Sequence, residues 1–99
     1  MGNETSWLDE LDKQFADDPE YIVHGMLLRI TENICEAMVS QGISRSELAK
    51  RAGTSHRQFI KFLNTPSNTT LLSIVEFAKA CGLEVTVNCK HKETYNGDE

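Results

Sequence analysis

The 99-residue sequence predicts an all-α domain of five helices that closes on one short strand. Three observations predict it. Apolar residues recur at steps of three and four in five successive stretches, which is the spacing that gives a helix one buried face. Those stretches open on residues that accept from free backbone N–H groups, namely Ser6, Asp18, Ser44, Ser55 and Thr70, and several close on a glycine, Gly42, Gly53 or Gly82. One stretch near the C-terminus alternates with period two instead. A composition of 39% hydrophobic and 25% charged residues suits a single globular domain of this length.

Taken in order, Ser6 caps a short amphipathic helix with Trp7, Leu8, Leu11 and Phe15 on one face and acidic residues on the other. Asp17, Asp18 and Pro19 end that helix and start the next, because Asp caps well and Pro suits the first helical position. Val23, Leu27, Ile30, Ile34, Ala37 and Met38 then give residues 19–41 one buried stripe, which Gly42 terminates. Ser44 to Glu47 has the capping-box pattern, and a helix of about two turns follows with Leu48, Ala49 and Ala52 inside. Ser55 to Gln58 repeats the pattern, ahead of a helix reaching Asn64 with Phe59, Phe62 and Leu63 inside. Residues 65–69 read as a loop around Pro66, after which Thr70 caps a helix carrying Leu71, Ile74, Phe77, Ala78 and Cys81. Leu83, Val85 and Val87 alternate with Glu84, Thr86 and Asn88 as a single half-buried strand. The organisation expected is therefore an acidic N-terminal helix over 1–18, a helical domain over 19–89 ending in the strand, and a polar tail over 90–99.

Several function classes are set aside by what the residues are. No window approaches the roughly 20 apolar residues of a membrane span, and the acidic start lacks the pattern of a signal peptide, so a cytoplasmic protein without a membrane partner is expected. Cys35, Cys81 and Cys89 contain no CxxC pair, so reduced thiols are expected. Cys81, Cys89 and His91 fit no common zinc spacing, and neither a metal nor another cofactor is expected. No nucleophile–base or paired-carboxylate arrangement lies on a recognisable scaffold, so the chain is not expected to be an enzyme.

The charge is unevenly placed. The chain carries a net −5, yet residues 1–20 hold −6 while residues 44–64 hold +4, where Arg45, Lys50, Arg51, Arg57 and Lys61 face only Glu47. A local basic face counts for more than the total where phosphate is the ligand. That basic stretch is also the one where a short helix, a tight turn on Gly53 and a second short helix with basic and amide residues outside follow one another. This is the helix-turn-helix order, in which the second helix enters the major groove of DNA. Ala49 is small because the two helices cross there, Gly53 supplies a backbone conformation costly for other residues, and Phe59 and Phe62 fix the second helix to the core.

The stretch from Glu47 to Asn64, ELAKRAGTSHRQFIKFLN, resembles the Cro/CI (XRE) family of phage and bacterial repressors, and the likeness runs from about Ile22 to Leu83. Thr54, Phe59 and the pair Thr65 and Pro66 depart from the family's usual residues. The resemblance implies a compact lambda-repressor-like domain that binds a double-stranded, palindromic operator. It implies base contacts from Ser55, His56, Arg57, Ile60 and Lys61 on a recognition helix at 55–64, with Arg57 foremost, since a guanidinium can bond O6 and N7 of guanine together. It implies phosphate contacts from Arg45 and Ser46 at the start of the preceding helix and from Asn64, Ser67 and Asn68 in the loop beyond. A solvated basic face on an ordinary helical domain is the plain rival to this reading.

A lone strand leaves its backbone groups open, so a symmetric homodimer paired through residues 83–88 is expected. The entry Asp18, Pro19, Glu20, Tyr21 and the terminal strand also resemble HigA-like antitoxins. That likeness implies, as an alternative to a plain transcriptional repressor, an antitoxin that neutralises a basic ribonuclease toxin by protein contact and represses its own operon.

Overall fold

A computed structural model of the chain describes Glu10 and residues 13–91. Among these residues it is mostly helical, with α1 at Pro19–Gln41, α2 at Arg45–Ala52, α3 at His56–Asn64, a 3-10 turn at Pro66–Asn68 and α4 at Leu71–Ala80. No described helix is long and apolar enough to cross a membrane.

Each α-helix starts on the residue that its chemistry selects. Asp18 Oδ1 accepts from the Glu20 N–H at 3.0 Å, Ser44 Oγ from Glu47 and Ser55 Oγ from Gln58 at 3.1 Å each, and Thr70 Oγ1 from Ser73 at 3.2 Å. Every one of these bonds satisfies a donor that the first helical turn leaves without an internal partner. The ends are equally specific. After α2, the Gly53 N–H donates to the Lys50 carbonyl at 3.1 Å and the Thr54 N–H to the Ala49 carbonyl at 2.9 Å. That pair of bonds requires a left-handed residue between them, and Gly53 supplies it with φ +76°. The same pair of bonds closes α1 at Gly42 and Ile43 and follows α4 at Gly82 and Leu83.

The core gathers Ile34 and Met38 of α1, Ile43 of the α1–α2 connection, Leu48 and Ala49 of α2, Phe59 and Phe62 of α3, Ile74, Phe77 and Ala78 of α4, and Cys81 just after it. Ile34, Leu48 and Phe59 are completely buried. Ala49 is 1% exposed, and α2 packs against both α3 and α4, so the small residue lies where neighbouring helices close on it. Gln41 Nε2 donates to the Cys81 carbonyl at 2.8 Å and ties the end of α1 to the end of α4.

The structure departs from the sequence reading in four places. The capping boxes are half formed: Glu47 turns along α2 to Arg51, and Gln58 takes the Thr54 hydroxyl, so neither side chain reaches back to its capping serine. The buried stripe of α1 begins at Leu27, because the other helices cover only its C-terminal half and leave Val23 44% exposed. The loop at 65–69 contains a 3-10 turn, held by Asn68 N–H to Thr65 carbonyl at 3.1 Å and Thr69 N–H to Pro66 carbonyl at 3.0 Å. Residues 83–91 take no regular secondary structure, since a strand needs a ladder partner and none is present among the described residues. Leu83 and Val85 still pack on the core, whereas Val87 is 70% exposed. Finally, Glu10 and residues 13–15 are helical as expected, while Trp7, Leu8 and Leu11 lie outside the described residues.

Three substitutions separate backbone strain from packing. A Cβ on Gly53 would meet nothing within 4 Å, so Gly53→Ala should cost ~1–2 kcal/mol through the left-handed backbone alone, and Gly53→Asn should cost less. Ala49→Leu has no such strain and should lose ~1–3 kcal/mol by overpacking. Urea melts of the three variants read the difference directly.

Candidate functional site

Helix α3 divides its residues sharply between two faces. Phe59 and Phe62 point inward, where their rings meet that of Phe77 at centroid distances of 5.1 and 4.9 Å, with 6.1 Å between the two phenylalanines of α3. Three mutually touching aromatic rings leave α3 little freedom to roll, because their packing has preferred separations and angles. Ser55, His56, Arg57, Gln58, Lys61 and Asn64 are exposed on the other side. Arg57, Lys61 and Asn64 are spaced at i, i+4 and i+7, which places them in one row along that face. Ile60 is only half-buried, so it straddles the boundary and contributes to packing as well as to the surface.

The loop beyond α3 continues this row. Thr65 Oγ1 donates to the Lys61 carbonyl at 3.0 Å, and Asn64, Ser67 and Asn68 are exposed around the 3-10 turn. Arg45 and Ser46 are exposed in the first turn of α2, the helix packed against α3. Each polar candidate residue from the sequence reading is therefore solvent-facing, and each of Ala49, Phe59 and Phe62 is buried. The turn between the helices is braced from inside. Thr54 closes α2 through its N–H and holds the Gln58 side chain through its hydroxyl, which orients that amide on the exposed face.

Gln58 is the residue the sequence reading missed at this face. Its position three after Ser55 drew it into a capping role, and it stands one turn before the buried Phe62, yet its side chain is exposed. An amide so placed can both donate and accept, as the edge of a base pair requires.

The charges fall into two groups. Arg51 Nε lies 3.1 Å from Glu47 Oε2 in an exposed pair along α2. Arg45, Lys50, Arg57 and Lys61 are exposed and make no ion pair among the described residues. Among the described residues the basic stretch thus presents four cations that make no ion pair. Among the described residues no three His, Cys, Asp or Glu side chains gather in a way that could hold a metal ion. No family model, curated protein or solved structure matches this chain.

The cysteines are distributed by exposure. Cys35 and Cys89 are exposed, while Cys81 is buried with its Sγ 3.4 Å from the Ala78 carbonyl and 3.7 Å from that of Phe77. Burial pushes the Cys81 thiol above its ordinary range, so it stays protonated where a solvated thiol would begin to ionise. An unfolded chain releases that proton at lower pH, so the contribution of Cys81 to stability holds below the ordinary thiol pKa and is lost as pH rises through the folded one. A chromogenic disulfide reagent should modify Cys35 and Cys89 rapidly and Cys81 only in denaturant. Rapid reaction of all three in the folded protein would contradict this placement.

Proposed function

We propose that the protein is a sequence-specific DNA-binding transcriptional regulator of the helix-turn-helix type, with α2 and α3 as the motif and α3 as the helix that enters the major groove. The observation that carries this reading is the division of α3: packed aromatic rings on one side, Arg57, Lys61 and Asn64 presented on the other, and exposed Gln58 at the edge between them. A helix held this firmly can place side chains at base edges to within the tolerance that hydrogen bonding demands. The four unpaired cations supply the phosphate attraction that the overall −5 would otherwise deny.

In this reading Arg57, Gln58 and Lys61 meet bases, with Ser55 and His56 at the entry of the helix and the Ile60 side chain against a thymine methyl. Arg45 and Ser46 meet a phosphate on one side, and Asn64, Ser67 and Asn68 meet the backbone on the other. The chain acts as a symmetric homodimer, since one recognition helix reads only a few base pairs and two would read half-sites about 34 Å apart. Residues 83–88 are the proposed seam. Leu83 and Val85 face the core, and the extended sequence pattern leaves a ladder for a second copy to complete.

Substitution tests the assignment because base and phosphate contacts fail differently. Arg57→Ala and Lys61→Ala should relax preference at particular base pairs, at ~1–3 kcal/mol of discrimination each. Arg45→Ala should weaken binding to every duplex alike and lower the salt slope by about 1. Equal losses on specific and random duplex for all three variants would overturn it. Val85→Pro removes a ladder donor, and sedimentation should then show a shift from dimer to monomer.

A further inference from the structure

The first half of α1 projects past the core and forms one wall of an open groove of about 1030 Å³, whose opposite wall is the end of α3 and the 3-10 turn. Its floor and walls include Ile22, Gly25, Met26, Leu63 and Pro66, Arg29 and His24 also line it, and among the described residues no aspartate or glutamate does. Met26 is 57% exposed and Ile22 41% exposed, so the apolar surface of this groove is unusually open for residues of their type. A Cβ on Gly25 would meet nothing within 4 Å. Glycine is a poorer helix former than alanine, and here it keeps the wall low.

We propose that this groove is an intramolecular docking site for the chain's own N-terminal stretch, residues 6–11, which seats Trp7, Leu8 and Leu11 in it. Three observations converge on that occupant. Chemistry is the first: the stretch pairs those apolar residues with Asp9 and Glu10, which complements an apolar groove whose charged lining is basic. Connection is the second. Ala16 itself lines the groove, so residues 6–11 are tethered within ten positions of it, and a short tether gives an effective concentration in the millimolar range. A second copy at micromolar concentration competes poorly with that. Direction is the third. The Phe15 ring lies 5.7 Å from that of Tyr21, so the apolar face to which Phe15 belongs is already turned toward α1, and Trp7, Leu8 and Leu11 share that face at helical spacing.

Docking has a consequence for the interface, which rests on the DNA-binding reading above. Asn64 and Ser67 line the same groove, so the seated stretch brings Asp9, Glu10 and Asp12 beside the loop proposed to grip the phosphate backbone. Like charge there opposes the approach of DNA, and it does so most strongly at low salt. The N-terminal stretch is thereby a built-in restraint on non-specific binding.

Trp7 is the only tryptophan, which makes the test direct. In the full chain its emission should be blue-shifted and shielded from acrylamide relative to N-acetyltryptophanamide, at every protein concentration. Gly25→Leu fills the groove while favouring the helix, and Met26→Asp charges its wall at an exposed position; both should shift the emission to the red and raise quenching severalfold, with the helical circular dichroism retained. Solvent-like emission in the parent overturns the proposal, as does emission unmoved by both variants, or shielding that appears only as concentration rises. A separate measurement reads the charge effect. The full-length variant Asp9→Asn, Glu10→Gln, Asp12→Asn should bind random duplex severalfold more tightly at low salt, with the gain shrinking as salt rises. Shielded Trp7 with no such gain overturns the restraint, and a parent that binds no duplex overturns the DNA-binding reading while leaving the docking site standing.

Discussion

The contact among Phe59, Phe62 and Phe77 is the interaction on which the arrangement depends. Two of its rings belong to α3 and one to α4, and all three are nearly inaccessible to solvent. A helix of nine residues has too little internal stability to hold its own orientation, since helices of that length are marginal in water. The rings therefore set which residues face outward. With Phe59 and Phe62 inside, the 3.6-residue period leaves Arg57, Lys61 and Asn64 outside, and nothing else about the surface needs to be specified separately. Truncating either ring would loosen both the core and the display of the polar face, so stability and the proposed DNA binding would be coupled through one cluster.

Much of this was legible in the residues alone. The bounds of α1 and α2 and the caps Asp18, Ser44, Ser55 and Thr70 follow from local hydrogen bonding, which depends on neighbours in sequence and not on the fold. The left-handed closures at Gly42 and Gly53 are local in the same sense. What could not be read was tertiary. Val23 fits the apolar stripe of α1 as well as Ile34 does, but whether it is covered depends on how far the other helices reach. The destinations of Glu47 and Gln58 were also undetermined, because a carboxylate or amide at the third helical position can satisfy a capping serine or another partner nearby. The period-two pattern at 83–88 describes a half-buried extended segment correctly for Leu83 and Val85, yet a pattern cannot supply the second strand that would make it a sheet.

The charge distribution gives the fold its directional character. A net charge of −5 describes a molecule that repels polyanions at a distance, while four cations on α2 and α3 that make no ion pair among the described residues describe one that attracts them at a particular face. Close to that face the second description governs, because salt screens charges that lie more than about 10 Å away at moderate ionic strength. Pairing Arg51 with Glu47 removes one cation from that face and leaves the remaining four where α3 and its preceding helix can use them. In the proposed DNA-binding reading, orientation would therefore be selected before any base is read.

Selection of bound duplexes from a random-sequence pool tests the central claim most directly, that α3 presents a fixed polar face that reads base pairs. The account predicts enrichment of a palindrome whose half-sites are one helical turn apart, with the enrichment lost when Arg57 is replaced. Recovery of duplexes no different in sequence from the starting pool would contradict it.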